Sequence, residues 1–520
     1  MPEIILEGGE VLDGSGKPRF RADIAIERGR ILAVGDLKGV EAGQRFPAHH
    51  CFVAPGFIDL HSHADLALLA RPGHEEKLLQ GVTTEVFSNC GLGFAPVNPA
   101  ALTSLAELSG SLFGSAPPAE KSWTSVRSYL ELLHGRTAVN VAYLVPHAAL
   151  RISSMGPAPR PATPNEIALM CQQLERAFEE GARGWCTGLH YAPLNAATTE
   201  EIQSLCRVAA ARQGLFAIHL RDYYFRLFES IEEALDAATV SGVRLQLSHY
   251  QAPGKNHLGR QQGERLIEKL TETRSAGIDV CCDVYPYTAG STLLSSFLPP
   301  AAAAAPLAAA LAMLRDPFSR AELAAYLEHW PHEWSRVMIA GVEQMTPQWE
   351  GVSIFDAANQ ERRTIGDFVC ELLLQTELRA LGIFHQQDEA DMHAILQSPY
   401  CQIGSDGLHI PGKPHPRLYG TFPRVLGHFV RETGLLGWEE AVRKMTGASA
   451  DRLRLPDRGR IMPGMAADVV VFDPQTVLDR ATYESPRQFP QGIRWVFVNG
   501  QLAARAGEPT RVLAGRVLTQ

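Results

Sequence analysis

The stretch GFIDLHSH, residues 56–63, joins an apolar run to two histidines that are separated by a single residue. The segment before it, from Cys51, is too apolar for an exposed strand, so we expect it to be buried. On a β-strand, alternate side chains point to the same face. His61 and His63 would therefore lie together at a strand end, an arrangement that suits the chelation of a metal ion.

Apolar segments and helical patterns alternate along the middle of the chain. Strands are predicted at 139–145, 183–187, 216–219, 244–249, 279–285, 337–339 and 402–405. Helices are predicted between many of them, at 163–180, 199–212, 225–241 and 263–276. Buried strands in repeated β-then-α units are typical of the α/β class and indicate a TIM-like (β/α)8 barrel. The pattern alone also permits an open doubly wound sheet.

Both ends of the chain have short, alternating apolar segments that are broken by Gly and Asp, which is typical of β-sheet. We expect residues 1–54 and 461–520 to meet in a small β-sandwich domain beside the barrel, which would occupy residues 55–460. The segment at about 297–334 fits no repeat unit well. It is predicted to be an insertion late in the barrel, and such an insertion could cover the site as a lid.

The composition of the chain indicates which kinds of partner and which cellular compartment to expect. The 520-residue chain has a formal net charge of −9, which gives no indication of a nucleic-acid surface. No apolar stretch reaches the roughly 18 residues of a membrane span, and no secretory signal is visible at Met1. Nine scattered cysteines favour a reducing compartment, so we expect a cytoplasmic protein. The sequence leaves the oligomeric state open.

Residues that bind metals recur at the predicted strand ends. In a parallel barrel the carboxyl ends of the strands converge on one face. The candidate ligands at those ends are His61, His63, Cys90, His219, His249 and Asp406. Imidazole, thiolate and carboxylate together suit zinc, and six ligands exceed what one tetrahedral ion takes. The sequence therefore predicts a zinc site with room for a second metal position, where a thiolate could bridge the two ions.

The predicted ligand set indicates a hydrolytic reaction. Catalytic zinc lowers the pKa of a bound water from about 15.7 towards about 7 and polarises a carbonyl group. Asp406 is the candidate general base, because a carboxylate at the edge of a metal site can take a proton from that water and pass it to a leaving nitrogen. We therefore expect hydrolysis of an amide or a related carbonyl compound.

Motifs along nearly the whole chain resemble the amidohydrolase superfamily, in its N-acyl-D-amino-acid deacylase (D-aminoacylase) branch. They lie at 56–65, 81–91, 187–191, 219–221, 283–292, 403–408, 414–417 and 420–427. In this branch a cysteine replaces the carboxylated lysine that is common elsewhere in the superfamily, and Cys90 matches it. The resemblance implies a zinc-dependent enzyme that hydrolyses N-acyl-D-amino acids to a carboxylate and a free D-amino acid.

The resemblance also implies roles for the six ligands. Cys90, His219 and His249 match the ligands of a tightly bound zinc ion. A second, weaker position would use His61, His63 and Asp406 together with the shared Cys90, and Asp406 matches the acid/base residue of the family.

The substrate would carry an α-carboxylate, which requires cations or hydrogen-bond donors. The candidate substrate-binding residues are Tyr191, Arg221, Lys255, Tyr285, Ser291 and His415. Lys255 is included because relatives often carry a lysine two residues after the histidine that matches His249, whereas this chain has Gln251 there. The segments 189–191 and 291–295 offer no further cation, which favours neutral or hydrophobic D-side chains.

Two other functions are compatible with the same sequence features. A cyclic-amide hydrolase of the hydantoinase or dihydroorotase type would use the same scaffold, but such enzymes usually carry lysine where this chain has Cys90. A catalytically silent binding scaffold is disfavoured because the ligand set, including Asp406, is intact.

Overall fold

Eight parallel strands form the central sheet of the computed structural model, which describes residues 1–113, 123–253, 262–330, 333–341 and 346–519. The strands are Phe57–Asp59, Val82–Phe87, Asn140–Pro146, Gly184–Gly188, Leu215–His219, Arg244–Leu247, Val280–Val284 and Cys401–Ile403. All seven residues of Asn140–Pro146 are buried, as expected for a strand that is covered on both faces.

The first and last strands of this sheet meet, so the sheet curls into a barrel. The backbone N–H of Leu60 donates to the carbonyl of Ile403 at 3.4 Å. Just beyond, Ser62–His63 pairs in parallel with Gly407–Leu408. The predicted (β/α) barrel is thereby confirmed and the open doubly wound sheet is excluded.

Amphipathic helices cover the outside of the barrel. Thr163 shows why one of them begins where it does, because its hydroxyl and the Glu166 carboxylate form a capping box, with Pro164 at the first helical position. The helices outside the insertion are Ala67–Ala70, Glu75–Leu78, Pro99–Phe113, Val126–Glu131, His147–Met155, Pro164–Glu179, Thr199–Ala211, Leu227–Ser241, Gln262–Ser275, Glu389–Gln397, Arg417–Arg424, the π-helix Val425–Glu432, Trp438–Met445 and Gly447–Leu453. None of the described helices is long and apolar enough to cross a bilayer.

The two chain ends build one nine-stranded sheet beside the barrel, which confirms the predicted β-domain. Phe52–Pro55 from the N-terminal part pairs antiparallel with Val469–Phe472 from the C-terminal part. The remaining strands are Ile4–Val11, Phe20–Glu27, Arg30–Gly35, Gln44–Pro47, Ile493–Val498, Gln501–Arg505 and Glu508–Pro509.

The part of the chain between the last two barrel strands, Val280–Val284 and Cys401–Ile403, forms a separate layer. This layer contains the predicted insertion. It has its own hydrophobic core and a three-stranded antiparallel sheet of Ala289–Leu293, Val337–Ile339 and Leu381–His385. Its helices are Pro300–Ala303, Leu307–Arg315, Pro317–Glu328, Ile354–Gln360 and Ile365–Gln375. The placement of Val337–Ile339 among the barrel strands was wrong, because its apolar side chains are buried in this second core instead.

A buried polar network joins the β-domain to the barrel. Asp468 accepts hydrogen bonds from Asn140 Nδ2 at 2.9 Å and from the backbone N–H of Asn499 at 2.6 Å, and it forms an ion pair with Arg458. Asp468 is 5% exposed and Arg458 is 6% exposed. Asp468 is therefore the buried partner that compensates the charge of Arg458 in a region that water hardly reaches, beside the partly exposed Asp457 at 3.7 Å.

Replacing Asp468 by alanine is expected to destabilise the protein strongly, because the buried Arg458 guanidinium would lose its buried carboxylate and keep only the partly exposed Asp457, at 3.7 Å, as an ion-pair partner. The free energy of unfolding should fall by about 3–5 kcal/mol, measured by denaturant unfolding. Asp473→Ala is the matched control in the same domain. Asp473 pairs with Arg494, whose side chain is 53% exposed, so its loss should cost about 1 kcal/mol or less. Equal effects of the two substitutions would contradict the role of the buried network.

Candidate metal centre and active site

The six predicted ligands converge at the carboxyl end of the barrel. His219 ends the strand Leu215–His219, and His63 ends the short strand Ser62–His63. The others follow directly after barrel strands, and all six are buried: His61, His63, Cys90, His219, His249 and Asp406. The parallel sheet therefore brings together side chains that are up to 345 positions apart in the sequence, from His61 to Asp406.

The donor atoms form two groups that share Cys90. One contains His61, His63, Cys90 and Asp406, and the other contains Cys90, His219 and His249; within each group the ligand atoms lie within 4.8 Å of one another. The Cys90 Sγ atom is 3.4 Å from His61 Nε2 and 3.5 Å from His249 Nε2. The Cys90 sulfur is thus within reach of both donor groups.

The chemistry of the donors fits a metal ion. The Nδ1 atoms of His63 and His219 are buried and have no hydrogen-bond partner among the described residues. Burial lowers the pKa of His249 to about 4, so its ring is neutral near pH 7 and can act as a ligand. Burial raises the pKa of the Cys90 thiol, and a bound cation would oppose this by favouring the thiolate. Nitrogen, sulfur and oxygen donors in this combination suit zinc.

Asp283 and Tyr223 contact the candidate ligands, and neither is among the residues predicted from the sequence. Asp283 Oδ1 lies 3.0 Å from His61 Nδ1 and accepts from the backbone N–H of His249 at 2.8 Å. The Tyr223 hydroxyl lies 3.1 Å from His249 Nδ1. Such contacts set the orientation of a ligating imidazole. Asp283 lies at the end of Val280–Val284, so the strand-end criterion could have found it.

Three of the ligands have left-handed backbone conformations. The φ angles are 55° at Cys90, 33° at His249 and 49° at Asp406. Residues with a Cβ atom rarely adopt such angles, which cost free energy and concentrate at functional sites. The turns after these strands thus point the side chains towards the shared centre.

Arg417 is a further residue beside the candidate ligands, and it is not among the site residues predicted from the sequence. Its Nη2 atom lies 2.9 Å from Asp406 Oδ2, and its guanidinium carbon is 4.4 Å from the centre of the Tyr285 ring. Burial opposes ionisation of Asp406, but the charge of Arg417 and the ring of His61 outweigh it and hold the pKa of Asp406 well below its usual range. The Nε and Nη1 atoms of Arg417 are buried with no hydrogen-bond partner among the described residues.

Three predicted substrate-binding residues line the cavity above the ligands. These are Tyr191, Tyr285 and Ser291. The Ser291 hydroxyl is buried and has no partner in the described part of the chain. The Tyr285 hydroxyl donates to Gln251 Oε1 at 2.8 Å, so Gln251 also borders the cavity through a neutral side chain.

Of the other three predicted substrate-binding residues, two lie outside the cavity lining and one lies outside the described residues. Arg221 does not line the cavity, and its guanidinium pairs with Glu233 at 2.7 Å, so its assignment needs correction. His415 also lies outside the lining. Its Nε2 bonds to the carbonyl of Ala289 at 3.0 Å and its Nδ1 accepts from the backbone N–H of Arg417, so it supports the backbone at Arg417. Lys255 lies outside the described residues.

Comparisons with known proteins agree with this architecture. The Amidohydrolase family model matches residues 48–316 and 391–504. A D-aminoacylase from Alcaligenes xylosoxydans xylosoxydans is 37% identical over 527 aligned residues, covering 100% of this chain and 98% of the relative. A solved structure of D-aminoacylase superposes with a TM-score of 0.86 at 35% identity, covering 100% of both chains.

Two further solved structures bear on the chemistry. N-acyl-D-glutamate deacylase from Bordetella bronchiseptica, complexed with zinc and a phosphonate inhibitor that mimics the tetrahedral intermediate of its reaction, has a TM-score of 0.86 at 34% identity and covers 100% of both chains. An L-hydantoinase from Arthrobacter aurescens also covers 100% of both chains, but at 16% identity and a TM-score of 0.56. That likeness shows a common fold only.

Proposed function

The chain belongs to the amidohydrolase family, and from this premise we propose that it is a zinc-dependent deacylase that hydrolyses N-acyl-D-amino acids to a carboxylate and a free D-amino acid. The observation that carries the proposal is the pair of donor groups that share Cys90, at the base of a cavity, in a chain that matches D-aminoacylase along its whole length. The support for a cyclic-amide hydrolase is much weaker, because a dihydroorotase is 37% identical over only 79 residues, 15% of this chain, and the likeness to the hydantoinase is one of fold alone.

Cys90, His219 and His249 would hold the tightly bound zinc ion, and His61, His63 and Asp406 would complete a second position. Zinc bound here would polarise the amide carbonyl and acidify a water molecule. The D-specificity is carried over from the relatives, which are named for D-amino acid derivatives.

Asp406 is placed to move the proton that hydrolysis requires. Its Oδ1 atom lies 3.0 Å from His63 Nε2, while Oδ2 is held by Arg417. Because the low pKa keeps Asp406 ionised, it can accept a proton from the attacking water. It can then donate that proton to the amide nitrogen as the C–N bond breaks, so the amino acid leaves as a neutral amine and the acyl group as an acid.

The cavity also indicates which substrates fit. Among the described residues that line it, none is lysine or arginine, and Arg417, which lies behind Tyr285 and Ser291, is the one cation that we assign to the substrate, for its α-carboxylate, so an acidic side chain would meet no second cation from these residues. We therefore favour neutral or hydrophobic D-side chains.

All nine cysteines are described and none is in a disulfide, which fits the proposed cytoplasmic location.

The function is tested with a panel of N-acetyl-D- and N-acetyl-L-amino acids, with detection of the released amine. N-acetyl-D-leucine should be hydrolysed and N-acetyl-L-leucine should not, and N-acetyl-D-glutamate should be the poorer of the D-substrates. Equal rates on both leucine enantiomers, or no rate on either, would refute the proposed substrate class.

Arg417 is the cation that we propose for the α-carboxylate of the substrate. It is buried, it touches the rings and backbone that line the cavity, and two of its nitrogens have open hydrogen-bonding capacity in the described structure. Arg417→Met should raise KM for N-acetyl-D-leucine by about 10- to 100-fold, since a hydrogen bond to a charged group contributes about 1.5–3 kcal/mol.

The Arg417→Met variant should also lose the preference of the wild type for N-acetyl-D-leucine over N-acetyl-D-leucinamide, which has no α-carboxylate. Arg424→Met is the matched control. Arg424 lies 4.8 Å from the centre of the neighbouring Tyr287 ring, but it pairs with Asp479 and not with Asp406. If Arg417→Met retains the preference for the acid, the α-carboxylate is bound elsewhere.

A further inference from the structure

A second cluster of metal-binding side chains lies apart from the catalytic centre. One nitrogen of His74, one nitrogen of His409 and a carboxylate oxygen of Glu85 lie within 4.8 Å of one another. His74 precedes the helix Glu75–Leu78, Glu85 lies in the barrel strand Val82–Phe87, and His409 follows Gly407–Leu408. All three are buried, and none belongs to the groups around Cys90.

The cluster has open ligand positions. The Nδ1 atom of His409 lies 2.9 Å from Glu76 Oε1, which places the ring proton on Nδ1 and leaves a lone pair on Nε2. That Nε2 atom is buried and has no hydrogen-bond partner among the described residues, and the same holds for Nδ1 of His74, whose Nε2 atom contacts Glu85 directly. Buried polar atoms without partners are costly and uncommon, so one on each of the two histidines of the cluster indicates a missing ligand.

The charges around the cluster favour a cation. The buried carboxylates of Asp59, Glu76 and Glu85 are accompanied by one buried ammonium group, that of Lys77, which contacts Asp59 and lies 3.5 Å from Glu85 Oε1. Arg71 also reaches Glu76, but its side chain is 52% exposed and its charge is partly screened by water. The buried groups therefore have an excess of negative charge, which a divalent ion would balance.

We propose that His74, Glu85 and His409 form a structural site for a divalent transition-metal ion, separate from the catalytic centre. Two imidazoles and a carboxylate suit zinc and related ions, and the pairing of Glu76 with His409 matches the carboxylate–histidine–metal arrangement of known sites. The ion would fix the segment that follows Gly407–Leu408. Gly407–Leu408 itself pairs with Ser62–His63, so the site would stabilise the part of the barrel that carries His63 and Asp406.

Crystals of the wild-type protein grown with zinc chloride test this directly, because anomalous diffraction at the zinc absorption edge locates each ion. The expected result is a peak between His74, Glu85 and His409 in addition to density at the catalytic centre. A peak at the catalytic centre alone would overturn the structural site and leave the proposed function intact. An occupied His74 cluster beside an empty catalytic centre would support the structural site and count against the proposed function.

Elemental analysis of a variant provides a second test. His409→Gln should contain about one zinc ion fewer per chain than the wild type, because the loss of one ligand weakens a three-residue site severely. His428→Gln is the matched control, since His428 is a partly exposed histidine that also pairs with a glutamate, Glu432. A zinc content in folded His409→Gln equal to that of the wild type and the control would overturn the proposal. If His409→Gln does not fold, the diffraction experiment on the wild-type protein decides.

Discussion

Replacing Asp406 with asparagine is expected to lower kcat by about 10²- to 10⁴-fold, the range that general acid–base catalysis contributes. The carboxylate lies beside two of the candidate ligands and is held ionised by Arg417, so it is the described group best placed to accept and return a proton. Asparagine has nearly the same size but cannot take up that proton. KM should change much less than kcat, because substrate binding does not require the proton transfer.

The Asp406→Asn protein should keep zinc at the site of Cys90, His219 and His249, since Asp406 does not belong to that group. Zinc analysis of the same preparation therefore separates loss of proton transfer from loss of metal. Asp36→Asn, an exposed carboxylate in the β-domain, is the control. An Asp406→Asn enzyme with undiminished kcat would remove Asp406 from the mechanism.

Replacing Cys90 with alanine is expected to abolish both tight zinc binding and hydrolysis. Cys90 is shared by the two donor groups, so its loss removes a ligand from each of them. The remaining neutral histidines His219 and His249 provide no anionic ligand to replace the thiolate. The zinc content should fall towards zero at the catalytic centre, and activity should fall with it, measured by elemental analysis and amine release.

Cys206→Ala is the matched control for the cysteine substitution. Cys206 is as deeply buried as Cys90 but lies in the helix Thr199–Ala211, outside the donor groups. The Cys206→Ala protein should retain its zinc and its activity, and the smaller side chain should lower its stability only modestly. If Cys90→Ala kept its catalytic zinc and its rate, the proposed ligand set would be wrong.

The barrel and the convergence of the six candidate ligands could be predicted because both follow from local pattern. Continuous apolar segments indicate buried parallel strands, and the parallel arrangement places the residues after those strands on one face. His219 at the end of Leu215–His219 shows this directly, because its position in the strand decides its position in the fold. Both chain ends were recognised as β-sheet for the same reason.

Contacts between distant segments could not be predicted in the same way. Arg417 reaches Asp406 from the start of the helix Arg417–Arg424, and nothing in the local sequence shows that its guanidinium turns towards the carboxylate. Arg221 was assigned to the substrate because it follows His219, but its charge is taken by Glu233 in the next helix. Val337–Ile339 is apolar like the barrel strands, and only the second hydrophobic core distinguishes it.

The His74–Glu85–His409 cluster was overlooked for a related reason. Only Glu85 comes from a barrel strand, whereas His74 and His409 belong to connecting segments with no shared pattern. Their proximity arises because Gly407–Leu408 pairs with Ser62–His63. Such sites become visible only when the fold places the segments side by side.

Reconstitution of the metal-free protein tests the central claim most directly. Zinc is removed with a chelator, its absence is verified by elemental analysis, and zinc is then returned stepwise while amine release from N-acetyl-D-leucine is followed. We predict no hydrolysis without metal and recovery of the rate as the site of Cys90, His219 and His249 fills. Full turnover of N-acetyl-D-leucine by protein that is verified to be free of metal would contradict the account.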